Sequence, residues 1–185
     1  MSNWGGLTLQ IEPFILRRLV LTPLSNGFTH IEGQMYYDTD EKAVTIHTEI
    51  EGVSLQIGQE SYVRVRNTTG GTINNGTPVY VSGASGNKPL IAKGQADDVA
   101  TSEIMGVTTH NIGNNADGYV TTQGIVRDVD TSSFTAGDVL YLSPSVAGGI
   151  TKTKPTAPDS IERIGWALNI HATQGTILVG IHKEG

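Results

Sequence analysis

Apolar and polar residues alternate along most of this chain in short runs separated by glycine and small polar residues. In "VTIHTEI", Val44, Ile46, Thr48 and Ile50 fall on one side of an extended chain, with Thr45, His47 and Glu49 on the other. A period of two marks a half-buried strand. It predicts the aliphatic set inward and His47 toward solvent or a subunit contact. Upstream, "GQMYY" is a second β-prone run, and the polar "DTDEK" between the two predicts a hairpin turn. Further strands are predicted at "YVRVRN", "PVYVS", "PLIAKG", "IMGVTT" and "GYVTTQGIVRDV". Such spacing is the pattern of a sandwich or barrel. The glycine-rich "TGGTINNG" reads as a hairpin or bulge. "TKTKPTAPDSIERIG", with Pro155 and Pro158, reads as an extended loop ahead of the last strands.

The strand pattern also repeats. Gly76-x-x-Val79-Tyr80-Val81-Ser82 aligns with Gly137-x-x-Leu140-Tyr141-Leu142-Ser143, Glu103-x-x-Gly106 with Glu162-x-x-Gly165, and Gly118 with Gly175. The offsets of 61, 59 and 57 residues drift as small loop deletions would make them. Three landmarks in one order point to an internal duplication, with related units at about residues 62–127 and 128–185. The expected fold is mainly β: a sandwich or barrel-like body over 62–185, preceded by a hairpin connector over 31–61 and an N-terminal arm over 1–30.

The arm differs from the rest. "LTLQIEPFILRRLVL" alternates loosely and then becomes continuously apolar, with Pro13 and Pro23 opposing a long helix. Two readings stand: an element packed on its own subunit, or a segment docking on a neighbour. The second makes Trp4, Leu7, Leu9, Ile11, Phe14, Ile15 and Leu16 apolar docking contacts, with Arg17 and Arg18 available to neighbouring carboxylates.

Composition narrows the function. A formal charge of −6 with scattered basic residues argues against a nucleic-acid surface. The longest apolar run is interrupted by two arginines and is too short for a membrane span. There is no cysteine for a disulfide or thiolate metal site. The five histidines share no metal-ligand spacing, and no nucleophile elbow is present. Asp38-x-Asp40, Asp97-Asp98 and Asp128-x-Asp130 read as solvated turns. No catalytic, metal or cofactor site is expected. Charged residues make up 16% of the chain, below the usual share of about 25%; subunit packing with little desolvation cost accounts for this, and so does a small monomer rich in Thr, Ser and Asn.

The segments "GQMYYDTDEKAVTIH", "LQIGQESYVRVRNTTGGTINNGTPVYVSGASGNKP", "GYVTTQGIVRDVDTSSFTAGDVLYLSPSVAGGIT" and "KPTAPDSIERIGWAL" resemble virion structural proteins of tailed bacteriophages, of the tail-fibre or capsid-decoration type. The resemblance implies a non-catalytic virion component made in the bacterial cytoplasm, usually homotrimeric and without cofactor. It would bind other phage head or tail proteins, but neither nucleic acid nor membrane. Short fibre, adaptor, decoration and capsid cement roles are all compatible with it. A rival reading is a carbohydrate-binding module for host attachment, with Tyr36, Tyr37, Tyr80, Tyr119 and Tyr141 as the aromatic platform.

Overall fold

Thirteen strands and one helical turn make up the described residues, which are 19–21, 23–25 and 29–184 of a computed structural model. Four strands form a small connector sheet in the order β1 (Pro23–Leu24), β2 (Met35–Asp38), β3 (Ala43–His47) and β4 (Ser54–Gln56). The other nine form the body. They are β5 (Ser61–Asn67), β6 (Pro78–Ser85), β7 (Lys88–Lys93), β8 (Ile104–Thr108) and β9 (Asp117–Val129), followed by β10 (Val139–Leu142), β11 (Ile150–Thr151), β12 (Ile161–Asn169) and β13 (Gly175–Glu184). Helix α1 (Val99–Ser102) is a single turn, capped by the Asp98 carboxylate accepting from the Ala100 amide.

Strands β9, β5, β7, β6 and β8 hydrogen-bond in that order, and β8 returns to β9, so they close a five-stranded barrel. Its only parallel pairing is β5 with β7. β-Branched side chains, Val65, Val79, Ile91 and Val120, fill it with no solvent exposure. Ile73, from "TGGTINNG", joins them: its backbone exchanges hydrogen bonds with Ile112 at 3.0 and 2.8 Å. That stretch is therefore an infolded loop that plugs the barrel, not the hairpin or bulge its composition predicts. The second half of β9 pairs with β13, which leads through β12 and β10 to β11 at the end of the sheet. A second core, including Val126, Leu140, Leu142, Ile164, Ile177 and Val179, lies beneath these strands.

The sequence repeat reappears as strand register. Val79↔Gly106 and Tyr80↔Ile104 flank a bulge between β6 and β8, and Leu140↔Gly165 and Tyr141↔Arg163 flank a bulge between β10 and β12. Tyr80↔Ala92 and Val81↔Ile91 recur as Tyr141↔Thr151 and Leu142↔Ile150. Thr108↔Val120 recurs as Ala167↔Ile177. Even the loop hydrogen bonds match: the Gly76 amide donates to the Thr108 carbonyl at 2.9 Å, and the Gly137 amide to that of Ala167 at 2.8 Å. The two stretches thus share several matching pairings, with β9 contributing to both.

The repeated glycines have a steric cause. A Cβ on Gly106 would overlap the Thr121 carbonyl, and one on Gly165 the equivalent Leu178 carbonyl. Side chains at these positions would push adjacent strands apart. Gly165→Ala is expected to cost about 3 kcal/mol, whereas Gly71→Ala, with open space around it, stays near parental stability. Urea denaturation of the two variants checks this, and equal midpoints would refute the steric reading.

Candidate interaction surfaces

The connector hairpin forms as expected, with Met35↔Ile46, Tyr36↔Thr45, Tyr37↔Val44 and Asp38↔Ala43 in register. Its inward side is the reverse of the expectation. Ala43, Thr45 and His47 are buried, while Val44 and Ile46 are half-buried on the outer side. His47 is not solvent-facing: it stacks on His30 at 4.4 Å and meets Tyr36 edge-on at 5.2 Å. Burial, and secondarily the His30 charge, lower the His47 pKa. The polar side of the sheet faces a polar joint with the body, where Tyr36, Asp38 and Gln56 line one cavity with Tyr62 and Arg127.

That joint is built from three directions. Arg127 on β9 donates to Glu60 at 2.6 Å and to Glu41 in the hairpin turn at 3.0 Å. The Glu60 carboxylate is enclosed (side chain 1% exposed) and also accepts from the Tyr62 hydroxyl at 2.7 Å. Burial, and then the Glu60 charge, raise the Tyr62 pKa far above its ordinary value. Tyr62 further donates to the Ser54 carbonyl on β4 at 3.0 Å. Asp38, expected in a solvated turn, is buried and its Oδ1 accepts from the Asp40 and Glu41 amides at 2.8 and 3.2 Å. A cavity of about 200 Å³ lies between connector and β9, lined by Tyr36, Asp38, Gln56, Tyr62 and Arg127 among others. A second strap joins Glu49 to Arg64 at 2.8 Å and to the Tyr119 hydroxyl. These groups pair with one another across the joint.

The remaining candidates resolve simply. Asp130 caps its own turn through the Ser132 amide at 2.9 Å, and Asp97 accepts from Gln95 at 2.9 Å. Among the described residues, no three His, Asp or Glu side chains gather as a metal site. Of the five tyrosines weighed as a glycan platform, Tyr36 and Tyr141 are buried and the others half-buried. The expected docking residues Trp4, Leu7, Leu9, Ile11, Phe14, Ile15, Leu16, Arg17 and Arg18 lie outside the described residues.

An apolar surface does stand on the described part of the molecule. The outer side of the connector sheet carries Met35 and Tyr37 from β2, Val44 and Ile46 from β3, Leu55 from β4, and Ile57 just beyond it. Met35 and Ile57 are 46% and 47% exposed. The alternation in "VTIHTEI" was readable as one aliphatic side; what the sequence did not carry was the polar joint that takes the opposite side.

The residues that build both cores also carry a family signature. Residues 55–181 match the model of the phage cement protein family. The chain belongs to the phage cement protein family. No curated protein and no solved structure matches it. The match spans the whole nine-stranded body apart from its last residues, whereas the hairpin and arm precede it. The protein is thus a virion structural protein with a capsid-decoration β-domain, located in the capsid and binding other capsid proteins. Of the roles left open by the sequence, cement is the one the family names.

Two titratable groups give this cement protein measurable properties. Removing the Arg127 side chain would leave Glu60 buried and uncompensated, at a cost of about 3 kcal/mol. Arg127→Ala is expected to speed amide exchange in β2–β4 while β5–β9 stay protected. Uniform exchange changes across both sheets would refute the joint. Glu162, the repeat counterpart of Glu103, points inward with Oε2 lacking a hydrogen-bond partner. Burial raises its carboxyl pKa to about 7, against the pull of Lys183 and with the help of Glu103. The folded state therefore holds a proton that the unfolded chain releases near the ordinary glutamate value of 4.5, so stability falls as pH rises between these values. Glu162→Gln should gain about 1–2 kcal/mol at pH 8 after discounting for solvent screening, and almost nothing near pH 4.5. Urea midpoints at the two pH values check this; a gain that ignores pH would count against it.

Proposed function

We propose that this cement protein is a non-catalytic, homotrimeric capsid subunit that docks through its N-terminal arm. The observation that carries the reading is the family match over the body, which leaves the apolar arm as the segment needing a surface of its own. Polar groups in the joint support the non-catalytic part, since Arg127, Glu60, Glu41 and Tyr62 satisfy one another. The Thr- and Gly-rich body supports close packing of subunits, because such surfaces carry little desolvation cost. Trp4, Leu7, Leu9, Ile11, Phe14, Ile15 and Leu16 supply the apolar docking contacts, worth about 25 cal/mol per Å² removed from water. Arg17 and Arg18 supply the charge.

Deleting residues 2–20 tests this. The truncated chain should melt like the parent by circular dichroism yet fail to co-sediment with undecorated capsids. Light scattering of the full-length protein should give the mass of a trimer. Capsid binding that survives the deletion would sink the arm's role, and a monomeric parent mass would sink the trimer.

A further inference from the structure

The outer apolar side of the connector sheet and the apolar arm are two halves of one unsatisfied requirement. Six side chains, Met35, Tyr37, Val44, Ile46, Leu55 and Ile57, form a contiguous uncharged surface across three strands. Contiguous apolar surface of this kind marks an interaction site. We propose that this surface receives the segment Leu7–Arg18 from a neighbouring copy, so that cement subunits are linked arm to connector. The inference rests on the reading of the arm as a docking element and names its receptor.

Three observations select that occupant. The first is place: the arm leads into Leu19 and Val20, 63% and 72% exposed, and then into β1, which pairs with β2 at the edge of the same sheet. Arms and receiving surfaces therefore sit together on every copy, as a repeating head-to-tail contact requires. The second is charge. Of the seven carboxylates in residues 29–60, Glu41, Glu49 and Glu60 pair with arginines of the body and Asp38 is buried, which leaves Glu32, Asp40 and Glu51 exposed, whereas the arm has Arg17 and Arg18 against the single Glu12. A basic apolar segment fits an apolar sheet whose connector carries exposed carboxylates, and a second connector sheet would not, because like charges would meet. The third is pattern: Leu7, Leu9 and Ile11 alternate with Thr8 and Gln10, so an extended segment presents one aliphatic side to the sheet. The copy is assigned by the cement role, since an arm folded on its own sheet would link nothing. A head-to-tail contact of this kind closes into a ring when its rotation permits.

The chain has no cysteine, so disulfide trapping reads the contact directly. Full-length Leu9→Cys protein is mixed with full-length Ile46→Cys protein, oxidised, and resolved on a non-reducing gel. The control pair is Leu9→Cys with Val146→Cys, at an exposed site on the loop between β10 and β11. The expected result is a mixed dimer at least about tenfold more abundant than in the control, as a held contact raises effective concentration. A yield equal to the control overturns the proposal. So does a link that forms only inside one chain of the Leu9→Cys, Ile46→Cys double variant. If the mixed dimer fails while deletion of residues 2–20 still abolishes capsid binding, the arm acts on the shell itself. The receptor assignment then falls and the docking role stands.

Discussion

Strand β9 is the constraint on which the rest of the molecule depends. Its first half closes the barrel against β5 and β8, and its second half opens the next sheet against β13. Successive side chains point to opposite sides of a strand, so Val126 enters the second core while Arg127 points outward to Glu60 and Glu41. A slip of one residue in register would exchange these roles, burying a guanidinium in the core and leaving Glu60 without its cation. Register along β9 therefore fixes the inner barrel, the outer sheet and the seat of the connector together. The close approach of Gly124 to Glu60, where a Cβ would overlap the Glu60 side chain and the Gln59 carbonyl, belongs to the same arrangement.

One long strand serves two similar sets of pairings. Each unit needs a long strand against which its glycine-bearing strand packs closely, β9 for Gly106 and β13 for Gly165. The first unit is also closed by the parallel β5–β7 pairing. In the second, the counterpart of β7 is the two-residue β11, which ends the sheet. Instead, the turn at Asn75 bridges the gap: its side-chain amide donates to the Arg127 and Asp128 carbonyls at 2.7 and 3.1 Å. The shorter second copy leans on the first, and two cores behave as one body.

What the sequence made legible follows from which forces are local. Strand alternation and tight turns are set by neighbours a few residues away, and these were readable: the hairpin and the all-β body. The inward side of β3 was not, because its sheet is seated by long-range pairs, Arg127 with Glu41 in the hairpin turn and Tyr62 with the Ser54 carbonyl on β4. Glu162 was masked for a related reason. Its repeat partner Glu103 forms an exposed ion pair with Lys183, and nothing local tells the two glutamates apart. The N-terminal segment was legible only as an apolar run, since what covers such a run is a property of a surface elsewhere.

Charge completes the physical picture of a cement subunit. Residues 61–184 carry ten carboxylates against nine lysines and arginines, with many engaged internally, as where Arg64, Arg66 and Lys88 all meet Asp117. The three cations hold the Asp117 carboxyl below its ordinary range, the Lys88 hydrogen bond most of all. A body that neutralises itself can lie against other subunits without accumulating repulsion. Excess negative charge is confined to the connector, whose polar side is engaged with the body through Arg127 and whose apolar side faces out. The connector is thereby tied to the body through several polar contacts, from Arg127, Arg64, Tyr62 and Tyr119, while its apolar side is left facing out.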